Sequence, residues 1–219
     1  MRTKLIIFDF DGTIGDTRQN IVKTMQMTIA ELHLSKRSEE ECAATIGLPL
    51  ARCFETLYPD LPTEQIQCCA ETYRKIFAEN LQTMKPQPFS GVVETLSVLK
   101  EHGFTLTIAS SRSHASLSEL TKDMGIAGCF SYLIGADDVE KAKPNPEPVL
   151  KTLKAMGIDA CQTLVVGDMA VDILMGANAE TKTCGVTWGN GTRAALQEVG
   201  ADYIIDSMDE LIGIVEHLS

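Results

Sequence analysis

Apolar residues follow two rhythms along this chain. Leu5, Ile6, Ile7 and Phe8 form an unbroken run with no polar face, which predicts a short strand buried on both sides. From Phe89 onward, similar runs alternate with stretches of helical spacing. Strands are predicted over 105–109, 132–134, 163–166, 183–186 and 203–205. Helices are predicted over 91–101, 114–124, 146–156, 171–179, 193–199 and 208–218. Helices set between short apolar strands imply an α/β fold with a doubly wound parallel sheet. The stretch 15–83 lacks that alternation. Ile21, Val22, Met25, Ile29 and Leu32 recur at helical spacing, with Asp16 as the expected N-cap. Two short helices are expected over 38–58, broken at Gly47-Leu48-Pro49, and Thr63 is expected to cap a further helix ending near Leu81. The pattern predicts a core domain of residues 1–14 and 84–219, interrupted by a helical insertion over 15–83.

Charge and cysteine content narrow the partners. With 19 basic and 30 acidic residues the net charge is −11, which disfavours nucleic acid and anionic membrane. No apolar run approaches a membrane span. The first strand begins almost at Met1, so no signal peptide is expected. The seven cysteines, at 42, 53, 68, 69, 129, 161 and 184, contain no CxxC pair. They are expected to be mostly buried free thiols in a reducing cytoplasm. His33, His102, His114 and His217 show no catalytic or ligand spacing and are expected to be structural or on the surface. Trp188 and the Gly189-Asn190-Gly191 turn are expected to serve packing and turn formation.

The chemistry-bearing groups sit at predicted strand ends, where α/β ligand sites lie. Asp9 and Asp11 are two residues apart, so extended chain would point both carboxylates one way, and a cation or a proton would relieve their repulsion. After the 105–109 strand come Ser110, Ser111 and Arg112, then a helix N-terminus, a ready anion site, although a Ser-rich strand end alone is more often turn chemistry. Lys143 precedes Pro144-Asn145-Pro146 at a helix start, where a cation is unfavourable unless an anion is near. Lys141 is the competing candidate. Asp168 ends the 163–166 strand and Asp172 lies one helical turn on, where a carboxylate also simply favours the helix dipole. An oxygen-rich, sulfur-free donor set suits Mg²⁺.

These motifs, in this order, resemble the four signatures of the haloacid dehalogenase superfamily. They are Asp9-Phe10-Asp11-Gly12-Thr13, Ser110, Lys143 before Pro144, and Gly167-Asp168 with Asp172. The resemblance spans essentially the whole chain and implies a Rossmann-like core with a helical cap at 15–83. It implies that Asp9 is the nucleophile and Asp11 the general acid and base. Ser110, with Ser111 and Arg112, would bind phosphate, and Lys143 would hold it against Asp9. Mg²⁺ would be held by Asp9, the Asp11 backbone carbonyl and Asp168, with Asp172 orienting a metal-bound water or Lys143. Ser111, Met169 and Ala179-Glu180 depart from the family's usual Asn, Ser or Thr, and Ala-Gly. Ile46–Leu50 and Gly185–Gly189 resemble the phosphoglycolate phosphatase-like subgroup.

The implied activity is Mg²⁺-dependent hydrolysis of small anionic phosphate monoesters through an aspartyl-phosphate, by a cytoplasmic monomer or homodimer. A β-phosphoglucomutase-like transferase is the nearest alternative, but its cap usually carries a Lys- and Arg-bearing stretch, where this chain has Ile46 to Arg52 with no Lys. A pyrophosphatase or nucleotidase of the same superfamily is also open. A dehalogenase usually lacks the second Asp, and a non-enzymatic binding module would not need all four motifs. Arg52 and Arg74 are candidates to meet an acidic leaving group, though each is more often a surface residue.

Overall fold

The computed structural model describes residues 4–217. Leu5–Phe8 forms β1, fully buried. Gly15–Asp16 forms β2, and four helices follow: α1 (Arg18–Glu31), α2 (Glu39–Ala43), α3 (Leu50–Leu57) and α4 (Thr63–Asn80). The chain returns through β3 (Gln87–Pro88), which pairs antiparallel with β2. It then alternates α5 (Val92–Glu101), β4 (Thr105–Ala109), α6 (His114–Asp123), β5 (Tyr132–Ile134), α7 (Glu147–Met156) and β6 (Thr163–Gly167). It closes with α8 (Ala170–Asn178), β7 (Lys182–Val186), α9 (Arg193–Glu198), β8 (Tyr203–Ile205) and α10 (Glu210–His217). Leu218, the expected end of the last helix, lies outside the described residues.

Six strands form one parallel sheet in the order β5-β4-β1-β6-β7-β8. The absence of a polar face in β1 has a direct cause. Ile6 and Phe8 belong to the larger apolar cluster, which continues through Met25, Phe54, Tyr73 and Phe77 of the insertion. Leu5 and Ile7 belong to a second cluster with Val149, Val165 and Met175. Register then sets the site: Phe8 stands beside Ile108 on one side and Val166 on the other. The residues that follow these three strands therefore emerge at one edge, with Asp9 between Ser110 and Asp168.

Three local expectations need correction. Asp16 does not cap α1; it is an exposed strand residue, and the flanking position belongs to Thr17, whose hydroxyl instead donates to Asp11 at 2.6 Å. Thr63 is the first residue of α4, behind Pro62, and makes no cap. The stretch 15–83 does contain strand, since β2 lies within it. Two residues are too few to carry an alternation that could be read from sequence. Among the described residues no disulfide forms; four cysteines are buried, one is half-buried, and Cys68 and Cys161 are exposed. Among the described residues no helix is long and apolar enough to cross a membrane.

Candidate active site

The loop after β1 turns back at once: the amides of Ile14 and Gly15 donate to the Phe10 carbonyl at 3.0 and 2.9 Å. Gly12 makes that turn with φ +91°. A side chain there would collide with Asp168, whose Oδ2 would stand 2.3 Å from the added Cβ. The tight turn packs the first loop directly onto the fourth motif.

Lys143 reaches the same point from the loop before α7. Its ammonium donates to Asp9 Oδ1 at 2.6 Å and to Asp172 Oδ1 at 2.7 Å. Burial alone would push the Lys143 ammonium down, but Asp172 and Asp9 more than reverse this and hold it above the ordinary lysine value. Lys141 lies outside this cluster; its backbone N–H donates to Glu147. Asp172 accepts the Met169 N–H through its second oxygen, at 3.0 Å, so one carboxylate serves both the helix start and the lysine.

Asp168 is fully buried. Its Oδ1 accepts from the Thr13 hydroxyl at 3.2 Å, and its Oδ2 from the Asn190 backbone N–H at 2.6 Å. Burial and the neighbouring Asp172 nevertheless push its carboxyl up to about 7. Asp9 is also raised well above the usual carboxylate range, by burial first, although Lys143 opposes this. Ligand oxygens of Asp9, Asp168 and Asp172 lie within 4.8 Å of one another. Three carboxylates lie near a single ammonium, so a proton or a further cation would offset the excess negative charge. An all-oxygen donor set of this kind fits Mg²⁺. The Asp11 carbonyl, the other expected ligand, receives a 3.5 Å contact from Asn190 Nδ2.

The Asp11 side chain turns away from this cluster. Its oxygens accept from Arg112 Nε at 2.9 and 2.7 Å, and Thr17 donates to Oδ1. The Arg112 guanidinium also sits 4.8 Å from the centroid of the Phe77 ring on α4. Ser110 is buried and its Oγ accepts the Arg112 N–H at 3.2 Å. Ser111 donates to the Gly47 carbonyl in the insertion at 2.7 Å. Ser111 and Arg112 were expected to contact phosphate; both are engaged with other protein groups.

Between insertion and core lies a cleft of about 480 Å³ that opens on Asp11. Arg74 lines it. Arg52 does not; it is exposed on α3 and paired with Glu55 at 2.8 Å. The turn at 189–191 belongs to the site after all, because Asn190 grips Asp168 and Trp188 Nε1 donates to the Thr13 carbonyl at 3.1 Å. Sequence offered only the Gly-Asn-Gly turn signal for this, with nothing to say which strand end it meets. His102 and His114 are surface residues paired with Glu216 and Asp138.

This arrangement is that of a phosphotransferase-type α/β hydrolase, and comparison with known proteins agrees. The family model for haloacid dehalogenase-like hydrolases matches residues 6–186. A protein named probable phosphatase IndB from Dickeya dadantii is 35% identical over 98% of this chain and 94% of its own length. Pyrophosphatase PpaX from Halalkalibacterium halodurans is 32% identical over 98% of both chains. The crystal structure of a hydrolase from Pseudomonas syringae, 22% identical, shares the fold with a TM-score of 0.87 over 100% of both chains. The chain belongs to the haloacid dehalogenase-like hydrolase family, on the side whose curated members are named phosphatases.

Proposed function

We propose that this enzyme is a Mg²⁺-dependent phosphatase that hydrolyses small phosphate monoesters through an aspartyl-phosphate on Asp9. The observation that carries the reading is the Lys143 ammonium bridging Asp9 and Asp172 at 2.6 and 2.7 Å beside Asp168. Lys143 neutralises part of the charge on Asp9, which lets a phosphate anion approach it. Asp9 attacks phosphorus and the bond to the leaving oxygen breaks. Asp11, protonated and turned from Arg112 towards the leaving oxygen, donates the proton that oxygen needs. A water then attacks the aspartyl-phosphate, Asp11 takes its proton, and inorganic phosphate leaves. The Ser110 hydroxyl steadies the phosphoryl oxygens. Mg²⁺, held by Asp9, the Asp11 carbonyl and Asp168 and oriented from Asp172, would neutralise charge on carboxylate and phosphate.

Residues 1–14 and 84–219 act in this reading as the core that does the chemistry, and 15–83 as a cap that excludes water and meets the leaving group. The adjacent crossings at β2 and β3 suit a hinge. We assign the enzyme to the cytoplasm, where seven cysteines without disulfides fit a reducing compartment. A second reading, pyrophosphate hydrolysis, draws on the relative named pyrophosphatase. It uses the same residues with phosphate as the leaving group. Release of inorganic phosphate from p-nitrophenyl phosphate with Mg²⁺, and its loss in EDTA, tests the main reading; equal turnover in EDTA contradicts it.

A further inference from the structure

We infer that the cleft beside Asp11 selects an uncharged leaving group with an apolar body, such as an alkyl or aryl alcohol, over a carboxylate or a second phosphate. The inference rests on the phosphatase reading and names the substrate class of that site. The cleft borders the site: Asp11, the proton donor to the leaving oxygen in that reading, lies in its wall with Ser111 and Arg112, whereas Asp9, Ser110, Lys143 and Asp168 do not line it. A leaving group that extends from Asp9 past Asp11 would enter it.

Its chemistry is lopsided. Ile21, Met25, Leu48, Leu50, Phe77 and Leu81 all face it from the insertion. Its charged groups are few. In this structure Arg112 donates to both Asp11 oxygens, and that pair adds no net charge to the lining. Among the described residues lining the cleft, that leaves Arg74 as the remaining cation, against Glu119 and Asp137, the latter already accepting the His114 backbone N–H. An anionic leaving group would meet one exposed arginine and two carboxylates while losing its own hydration. An apolar group would gain by leaving water. A volume of about 480 Å³ is also far more than a two-carbon alcohol fills.

A series of unbranched alkyl phosphates tests this, because the leaving alcohols from ethyl to hexyl differ little except in apolar length. The expected result is a rise in kcat/KM of roughly threefold per methylene until the cleft is full. Phosphoglycolate and pyrophosphate should then be poorer substrates than butyl phosphate. Leu50, half-exposed at the cleft wall, supplies the second arm. Leu50→Ser should lower the ratio of hexyl to ethyl phosphate turnover severalfold, and a ratio within one preparation is insensitive to partial unfolding. A flat series would overturn the inference. So would phosphoglycolate or pyrophosphate exceeding butyl phosphate tenfold, with Arg74→Ala removing that preference. Phosphate release in either case leaves the phosphatase reading standing, whereas no release from any ester removes both.

Discussion

Ser111 Oγ donates a 2.7 Å hydrogen bond to the Gly47 carbonyl, joining the loop after β4 to the loop between α2 and α3. Met169 meets the same glycine: a methyl added at Gly47 would stand 3.7 Å from Met169 Cγ and Cε. Ser111 and Met169 are two positions at which the chain departs from the family's usual residues, and both converge on one point of the insertion. Gly47 has φ +96°, which a side chain would strain. Ser111→Ala should weaken cap closure by about 1 kcal/mol, or about fivefold, one ordinary hydrogen bond. The check is a KM that rises with little change in kcat; an equal fall in kcat alone would place Ser111 in the chemistry instead.

Lys143 is the cation that holds two buried carboxylates together. Removing one partner of such a cluster leaves unpaired charge in the interior, so Lys143→Ala should destabilise the metal-free protein by about 3 kcal/mol. It should also abolish turnover. Urea unfolding in EDTA measures the first and phosphate release the second. Unchanged stability would mean the cluster is more hydrated than its burial implies.

Asp168 makes stability depend on pH and metal together. Its carboxyl is pushed up to about 7 in the folded chain, against an ordinary value of 3.8. The folded chain therefore binds this proton more tightly than the unfolded chain. The resulting stability is full below pH 3.8 and is lost as pH rises through about 7. Asp9 moves in the same direction. Mg²⁺ competes with those protons, so its rise in Tm should be small well below pH 7 and grow above it. Melting curves with Mg²⁺ and with EDTA across that range check it; a pH-independent Mg²⁺ effect would contradict the assignment of Asp168 as a ligand.

Much of this was legible in the sequence because each motif sits where a short apolar run stops. Leu5–Phe8, Thr105–Ala109 and Thr163–Gly167 announce buried strands, and parallel pairing in register brings their ends together. The partners of Asp168 were not legible. Thr13 and Asn190 reach it from 155 and 22 residues away in the chain, and no local pattern encodes a contact of that kind. Asp16 departs from the expected helix cap for a different reason. Cap preference favours Asp at a helix start, but the chain first makes a two-residue strand there, and Thr17 spends its hydroxyl on Asp11.

Arg112 ties Asp11 to α4 of the insertion, with Nε on the carboxylate and the guanidinium against Phe77. Phe77→Leu removes the ring while keeping an apolar side chain. It should cost about 1 kcal/mol or more at this buried site, through the lost cation–π contact and a small cavity. Cleft-filling esters should lose more kcat/KM than methyl phosphate does. A uniform loss on both would assign Phe77 to folding alone.

The most direct measurement is chemical trapping of the intermediate. The enzyme is mixed with Mg²⁺ and a turned-over ester, quenched in acid within the first turnovers, digested, and mapped by mass spectrometry. The account predicts a phosphoryl group on the peptide bearing Asp9, at higher occupancy in Asp11→Asn when the ester is p-nitrophenyl phosphate, whose leaving group needs no proton, because the base that helps water attack is missing. It predicts no such adduct and a loss of several orders of magnitude in turnover for Asp9→Asn. A phosphoryl group on any other residue, or Asp9→Asn turnover within about tenfold of wild type, would contradict it.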